Sequence, residues 1–226
     1  MPRISTLLAL LAFGPTLLAQ SIPDLDPGRF QGDLKRFALE DSRNPMAKGG
    51  SIFVGSSSIK RFEIERYFPG LRARNRGMGG AHISDVNHFL EELVLKHEPV
   101  KVFLYCGGND LWRRKPVFQV YEDYLEFKRQ LFSRLPNCEL YILGLRPSPM
   151  REPILSQQLS LNYLFQSESE TDERITYLSA SCDPFIDAQG KPRMHLFHED
   201  RVHMNDAGYD IWVEALRPIV SPFLEP

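Results

Sequence analysis

Two segments of the sequence carry residues of complementary chemistry. A run of three serines, residues 56–58, follows Gly55 at the end of a short apolar stretch. Near the C-terminus, Asp200 stands three residues before His203. A histidine can take the proton of a serine hydroxyl, and an aspartate can orient the imidazole and stabilise its charged form. These residue types indicate nucleophilic catalysis if the fold brings the two segments together.

Two further segments add groups that could bind a developing negative charge. Residues 75–80 contain three glycines, which permit close approach of the backbone to a ligand. A nucleotide-binding loop is disfavoured because neither G-x-G-x-x-G nor a following Lys-Ser/Thr pair is present. Residues 107–110, Gly-Gly-Asn-Asp, place the side-chain amide of Asn109 after another apolar run. Taken singly, each segment also fits an ordinary turn or a helix cap.

The chemistry-bearing segments each need an element that positions them. Apolar runs typical of strands covered on both faces occupy residues 51–54, 101–106, 139–143 and, more weakly, 174–178, with a further candidate at 71–75. Apolar residues recur at helical spacing within 83–97, 117–132 and 211–219, the last with Asn205 or Asp206 as its cap. This alternation predicts a parallel sheet with right-handed crossovers. Ligands bind such sheets beyond the carboxyl ends of the strands, where the polar segments fall.

The four segments, in this order, resemble the SGNH (GDSL-like) hydrolases: G-x-S, a glycine block, G-x-N-D and D-x-x-H. The resemblance spans residues 51–213. It implies an α/β fold, a three-layer α/β/α sandwich around a flavodoxin-like parallel sheet of about five strands. The segment 144–151, Gly-Leu-Arg-Pro-Ser-Pro-Met-Arg, resembles a bacterial branch that has Gly-Ser-Ser-Ser in its first block.

The resemblance also implies a reaction and the residues that perform it. Ser57 matches the nucleophile, and Asp200 and His203 match the acid and base of the triad. The oxyanion hole would comprise the backbone N–H groups of Ser57 and Gly80 and the side-chain amide of Asn109. The expected activity is hydrolysis of carboxylic esters through an acyl-enzyme, with no metal or organic cofactor. No long apolar lid is evident, which favours short acyl or acetyl groups.

The sequence departs from the family pattern at two positions. Ser56 stands where aspartate is usual, and Ala81 follows Gly80 where aspartate is frequent. Neither position carries the nucleophile or an oxyanion donor, so we expect altered polarity of the pocket rather than loss of the chemistry. Ser56 and Ser58 remain alternatives to Ser57 as the nucleophile, because they leave the same turn.

Two other functions stay open at this point. His195 and His198, with Glu199, Asp200 and His203, have a spacing that would suit a metal-dependent hydrolase. That interpretation leaves the serine and asparagine segments without a role. A non-catalytic binding module on the same scaffold is the second alternative, although no group that the chemistry needs is missing.

Composition limits the classes of partner. The chain has 226 residues with 42% hydrophobic and 25% charged side chains and a net charge of −2, which suits one globular domain. Nucleic acid is not expected as a partner, because phosphate-binding surfaces need clustered Lys and Arg. The short basic patch at 113–115 is interpreted as a solvated loop. The expected partner is a small-molecule, glycan or lipid ester, and the sequence leaves the oligomeric state open.

The first 20 residues have the character of a signal peptide. Arg3 precedes an apolar run at 7–13, and Ala19 offers a small residue at its exit. We therefore expect a secreted or periplasmic protein with a single domain at 21–226 and no stable membrane insertion. The pairing of Cys106, Cys138 and Cys182 cannot be derived, and the absence of a C-x-x-C pair makes a thiolate zinc site improbable.

Overall fold

A five-stranded, fully parallel sheet forms the centre of the molecule. The computed structural model describes residues 21–224, so the expected signal peptide lies outside the described residues. The strands are β1 (Ser51–Gly55), β2 (Ala73–Gly77), β3 (Lys101–Tyr105), β4 (Glu139–Leu143) and β5 (Ile175–Leu178). Their order is β2-β1-β3-β4-β5. This is the flavodoxin-like order, and it confirms the predicted fold class.

Nine α-helices of the described residues flank the sheet. They are α1 (Gln31–Arg43), α2 (Ser57–Lys60), α3 (Ile64–Tyr67), α4 (Ile83–His88), α5 (Leu90–Leu93), α6 (Gly108–Trp112), α7 (Val117–Arg134), α8 (Leu155–Ser169) and α9 (Asp206–Val220). Helix α7 packs between α4 and α8. Helix α9 meets the β1–α2 region through Trp212, whose ring contacts Phe62 edge-on. The result is the expected α/β/α sandwich.

Burial of the central strands explains why their sequences are continuous apolar runs. Strands β1 and β3 are buried along their whole length. Phe53 and Phe103, directly opposite in the register of these two central strands, stack with ring centroids 4.3 Å apart. Because both faces of the central strands are covered by helices, polar side chains can reach solvent only beyond the strand ends.

Two details differ from the sequence-based expectations. The second strand is β2, residues 73–77, rather than 71–75, because Ala73 rather than Leu71 begins the pairing with β1. The expected helix over 83–97 is broken at Phe89 into α4, α5 and a final 3₁₀ turn. The apolar residues of every piece are nevertheless buried, among them Val86, Leu90 and Leu95.

The basic patch at 113–115 is not simply a solvated loop, as had been expected. Arg113 and Arg114 are exposed, but the Lys115 side chain is fully buried. Its ammonium group pairs with Asp24 and, at 3.0 Å, with Asp123, and it lies 3.6 Å from Asp110. A buried lysine is tolerated there because carboxylates surround it. Lys115 thereby ties the N-terminal segment to the domain.

Candidate active site

A glycine ends β1 and turns the chain so that Ser57 begins a helix at the carboxyl edge of the sheet. Gly55 has φ +138°, and a Cβ there would lie 2.0 Å from the carbonyl oxygen of Tyr105. Only glycine fits this close contact. The backbone N–H of Ser56 donates to the same carbonyl at 3.0 Å. Ser57 is then the first residue of α2, with its hydroxyl at the end of the central strands.

The structure brings Ser57, His203 and Asp200 into one hydrogen-bonded chain. Nε2 of His203 lies 3.0 Å from Oγ of Ser57, and Nδ1 lies 2.6 Å from Oδ2 of Asp200. Since a carboxylate only accepts, Nδ1 carries the proton and Nε2 is free to accept from the serine hydroxyl. This is the arrangement in which a histidine serves as a base toward serine.

The loop that carries Asp200 and His203 is closed on itself. The other carboxylate oxygen of Asp200 accepts the backbone N–H groups of Val202 and His203 at 2.9 and 2.8 Å. Arg201, between them, has φ +57°, a left-handed conformation that is uncommon outside glycine. The three-residue spacing from Asp to His is therefore a local turn that holds the carboxylate against the imidazole.

The electrostatics suit this arrangement. Partial burial lowers the pKa of His203, and the charge of Arg61 adds to that, against the opposing effect of the hydrogen bond that His203 donates to Asp200. For Asp200, burial raises the pKa, but the hydrogen bonds from His203 and Val202 together hold it well below its usual range. At neutral pH the imidazole is uncharged and the carboxylate is ionised, as a base and its orienting partner require.

The two other serines of the turn face different partners. Oγ of Ser58 accepts a hydrogen bond of 2.9 Å from Arg146, and Ser58 is buried. Ser56 is also buried. Among the described residues only Ser57 has its hydroxyl within hydrogen-bond distance of His203.

Gly80 and Asn109 lie beside Ser57, lining the same cavity. The φ of Gly80 is +82°, so the turn after β2 needs a residue without a Cβ penalty. The backbone N–H groups of Ser57 and Gly80 donate to no group in the described part of the chain. One N–H of the Asn109 amide donates to the carbonyl oxygen of Ala81 at 2.9 Å, which leaves its second N–H for a ligand.

Arg151 is a residue of the site whose role was not evident in the sequence. Its guanidinium donates to Oδ1 of Asn109. With Ala81 accepting from the amide nitrogen, both ends of the Asn109 side chain are fixed. Burial lowers the pKa of Arg151. A Cβ added to Gly108 would lie 2.6 Å from its Nη1, so the second glycine of the Gly-Gly pair makes room for Arg151.

Arg146 has a supporting position beneath the other side of the site. It is buried and donates to the Tyr105 hydroxyl at 2.9 Å and to the Val202 carbonyl at 3.0 Å, besides Ser58. It therefore connects the serine turn with the loop that carries Asp200 and His203. Both arginines belong to the segment 144–151, and that resemblance was the only sign in the sequence that they matter.

The site opens to solvent through a cavity of about 440 Å³. His203 is partly exposed at this cavity. Its lining residues are Ser57, Lys60, Arg61, Gly79, Gly80, Asn109, Arg151, Val202 and His203.

The histidines of the alternative metal site are not gathered with other ligands. His195 and His198 are both exposed. Within residues 21–224, no group of three or more His, Cys, Asp or Glu side chains is placed to hold a metal ion. His203, which that alternative also needs, is hydrogen bonded to Ser57 and Asp200 at its two ring nitrogens.

The described residues also bear on membrane-spanning helices and on the cysteines. No helix in the described range is long and apolar enough to cross a membrane. Cys106, Cys138 and Cys182 are all buried and unpaired with one another.

Comparison with known families agrees with the fold. The family model of the GDSL-like lipase/acylhydrolases matches residues 49–211, and the chain belongs to that family. It is therefore an ester-hydrolysing enzyme by class. No curated protein sequence matches the chain closely enough to count as a relative.

Solved structures of low sequence identity share the fold. A GDSL-like lipase from Bacteroides thetaiotaomicron superposes with a TM-score of 0.72 at 17% identity, covering 84% of this chain and 97% of its own. A catalytic mutant of an acetylxylan esterase from Geobacillus stearothermophilus superposes with a TM-score of 0.58 at 15% identity, covering 77% of this chain and 95% of its own. At these identities the likeness establishes the architecture alone.

Proposed function

We propose that this protein is a serine esterase in which Ser57, His203 and Asp200 act as a catalytic triad. The observation that carries the proposal is the continuous chain of hydrogen bonds from Ser57 through His203 to Asp200. Such a chain supplies a nucleophile, a base matched to it and a group that orients the base. The family of ester hydrolases to which the chain belongs supports the same chemistry.

In the first half of the reaction, Oγ of Ser57 attacks the ester carbonyl while Nε2 of His203 takes its proton. The carbonyl oxygen becomes an oxyanion, which the N–H groups of Ser57 and Gly80 and the free N–H of Asn109 would bind. The imidazolium then protonates the leaving alcohol as its bond to the carbonyl carbon breaks. In the second half, water loses a proton to His203 and attacks the acyl-enzyme, and the proton returns to Ser57 as the acid departs.

The substrate we propose is a carboxylic ester with a short acyl group. The cavity of about 440 Å³ has room for a small acyl chain, and polar side chains form much of its lining. The fold is shared with an acetylxylan esterase, which makes an acetylated glycan a reasonable class to test. An enzyme family of broad chemistry cannot by itself select among glycan, lipid and thioester substrates.

The test is hydrolysis of p-nitrophenyl esters from acetate to palmitate by the wild type and by single alanine variants of the three serines. Ser57→Ala should abolish turnover and labelling by a fluorophosphonate probe, with an unchanged circular dichroism spectrum. Ser56→Ala is the matched control from the same turn and should retain labelling. Labelling that survives in Ser57→Ala and disappears in another serine variant would assign the nucleophile elsewhere.

We further propose that the protein is exported, on the strength of the leader-like residues 1–20. Export would place an esterase with a shallow, open site among extracellular or cell-envelope esters. Expression of the whole chain in a bacterial host, followed by fractionation and N-terminal sequencing, tests this. A mature protein that begins near residue 20 in the periplasm or medium is expected, and an uncleaved cytoplasmic chain would contradict it.

A further inference from the structure

The cavity at Ser57 has an unusual balance of charge. Lys60, Arg61 and Arg151 line it, and none of the residues that line it is a carboxylate. Asp200 is nearby, but it is occupied by His203 and by two backbone N–H groups. A substrate entering this cavity therefore meets three positive side chains and no negative one.

Two of the three cations have partners in the described part of the protein. Lys60 donates to Asp33 at 2.9 Å, so its charge is compensated across the surface. Arg151 donates to Oδ1 of the Asn109 side chain. The positions of both side chains are thus explained by contacts with the protein itself.

Arg61 has no such partner. It is exposed, and its guanidinium makes no hydrogen bond or ion pair within residues 21–224. Its backbone N–H donates to the carbonyl oxygen of Ser57 at 3.0 Å, which places it one helical turn after the nucleophile. At this spacing side chains lie on the same face of a helix.

Two carboxylates near Arg61 are paired with another arginine. Arg61 also borders a second hollow of about 210 Å³, which Glu63 and Asp206 line. Both carboxylates bind Arg66, at 3.0 and 2.9 Å. Arg61 therefore keeps an uncompensated charge at the boundary between this hollow and the catalytic cavity.

We propose that the enzyme prefers esters that carry an anionic group, such as a carboxylate or phosphate, and that Arg61 binds that group. A guanidinium recognises these oxyanions with two parallel hydrogen bonds, which gives both affinity and orientation. The inference rests on the proposed esterase function and specifies its substrate class. Arg61 acts here as a specificity-determining residue, and the ester chemistry remains with Ser57.

Two pairs of synthetic esters test the preference and locate the charge. Meta-acetoxybenzoate and its methyl ester differ by one negative charge on the leaving group. Mono-p-nitrophenyl adipate and its methyl diester differ by one negative charge on the acyl group. For each pair, the ratio of kcat/KM for the anionic ester to that for the neutral ester measures the preference, free of general effects on turnover.

In the wild type, at least one pair should give a ratio above one that falls as salt is added. Arg61→Gln should lower that ratio about ten-fold or more, the size of a hydrogen bond between charged groups. Arg61→Lys should keep part of the preference, because the charge remains while the two-pronged geometry is lost. The control is Arg113→Gln, which removes an exposed cation that does not line the cavity and should leave the ratio unchanged.

The outcomes separate the inference from the proposed function. Neutral esters hydrolysed with dependence on Ser57, but with the same ratio in wild type and Arg61→Gln, would overturn the anion preference alone. If no ester of either pair is hydrolysed by the wild type, the proposed function is overturned and the inference with it. A ratio that falls equally in Arg113→Gln would show a diffuse surface potential rather than recognition by Arg61.

Discussion

Two aspartate–histidine pairs lie near the same edge of the sheet and behave in opposite ways. In one, Nδ1 of His203 is 2.6 Å from Asp200. In the other, Nδ1 of His82 is 3.9 Å from Asp110, too far for a hydrogen bond. Only the first pair is hydrogen bonded to a serine hydroxyl, that of Ser57. Two pairs of the same residue types thus differ in role because they differ in hydrogen bonding and burial.

The two carboxylates show the difference most clearly. Asp110 is fully buried, and burial raises its pKa to about 7 in spite of Lys115 and the N–H group of Ile83. Asp200 is partly exposed and accepts hydrogen bonds at both oxygens, which hold its pKa well below its usual range. An ionised carboxylate can stabilise an imidazolium during attack, whereas a protonated one cannot.

The histidines follow the same rule. Burial lowers the pKa of His82 to about 4, with the nearby charge of Lys115 adding to the effect. His82 therefore stays neutral and is the N-cap residue of α4. The buried pair adjoins the site, because Asp110 directly follows Asn109 in α6. Under the proposed function, His203 and Asp200 form a reacting pair and His82 and Asp110 a supporting pair. Substitutions in and around the two pairs test that distinction.

The largest effect is expected at Asp200. Asp200→Asn should lower kcat/KM by about 1,000-fold or more, because the amide can donate to Nδ1 and so favours the wrong imidazole tautomer. Glu199→Gln, at the adjacent exposed position, is the matched control and should have an effect of less than about three-fold. Steady-state kinetics on p-nitrophenyl acetate measure both. An essential Glu199 with a dispensable Asp200 would show that the loop geometry is wrong.

The next effect is expected at Asn109. Asn109→Ala should lower kcat by about 100-fold or more with little change in KM, because the oxyanion exists only during attack. Asn109→Asp should be worse, since it places a carboxylate beside that charge. Asp110→Asn, one residue away in the buried pair, is the control. A large rise in KM with kcat preserved would make Asn109 a substrate-binding residue.

A smaller effect is expected at Arg151, which positions Asn109. Arg151→Gln should lower kcat on p-nitrophenyl acetate by about ten-fold, because the Asn109 carbonyl loses a charged donor and the amide becomes free to turn. KM for this neutral ester should change little. In the Asn109→Ala background the same substitution should cost much less, since its partner is gone. Equal losses in both backgrounds would mean that Arg151 acts independently of Asn109.

The smallest effect on turnover, and the clearest on stability, is expected at Asp110. Its pKa of about 7 in the folded protein exceeds that of the unfolded chain. Between about pH 4 and pH 7 the unfolded state is therefore ionised while the folded state holds a proton, and the free energy of unfolding falls as pH rises. Above pH 7 the penalty is constant, at up to about 4 kcal/mol.

Urea denaturation of the wild type and Asp110→Asn between pH 4 and pH 8 measures this. The stability of the wild type relative to the variant should decline with rising pH, because asparagine does not titrate. Asp200, whose pKa is lowered, contributes stability that is lost only as pH falls below about 5, towards and past the unfolded value, so the stability difference between wild type and Asp200→Asn should be flat from pH 5 to pH 8 and should shrink when the series is extended to pH 3. Parallel curves for wild type and Asp110→Asn would mean that Lys115 keeps Asp110 ionised, and the contrast between the two pairs would fail.

Much of the fold and the candidate site followed from local sequence features. Apolar runs ending in glycine identified the strands, since a parallel strand covered on both faces must be apolar until it reaches the sheet edge. The polar segments after those runs had to meet at that edge, and the resemblance to the SGNH hydrolases singled out Ser57, Gly80 and Asn109 within them. The spacing of Asp200 and His203 is a property of a single turn, so their proximity could also be predicted from local sequence.

The tertiary structure alone decided which other charges belong to the site and which support it. Arg151 and Arg146 come from the same loop, yet one contacts Asn109 and the other bridges Ser58 to Val202. Lys115 lies in a basic run but is buried, whereas Arg61 remains unpaired at the cavity. A charged side chain leaves no periodic signal in sequence, because its role depends on whether distant elements exclude water from it and supply it with a partner.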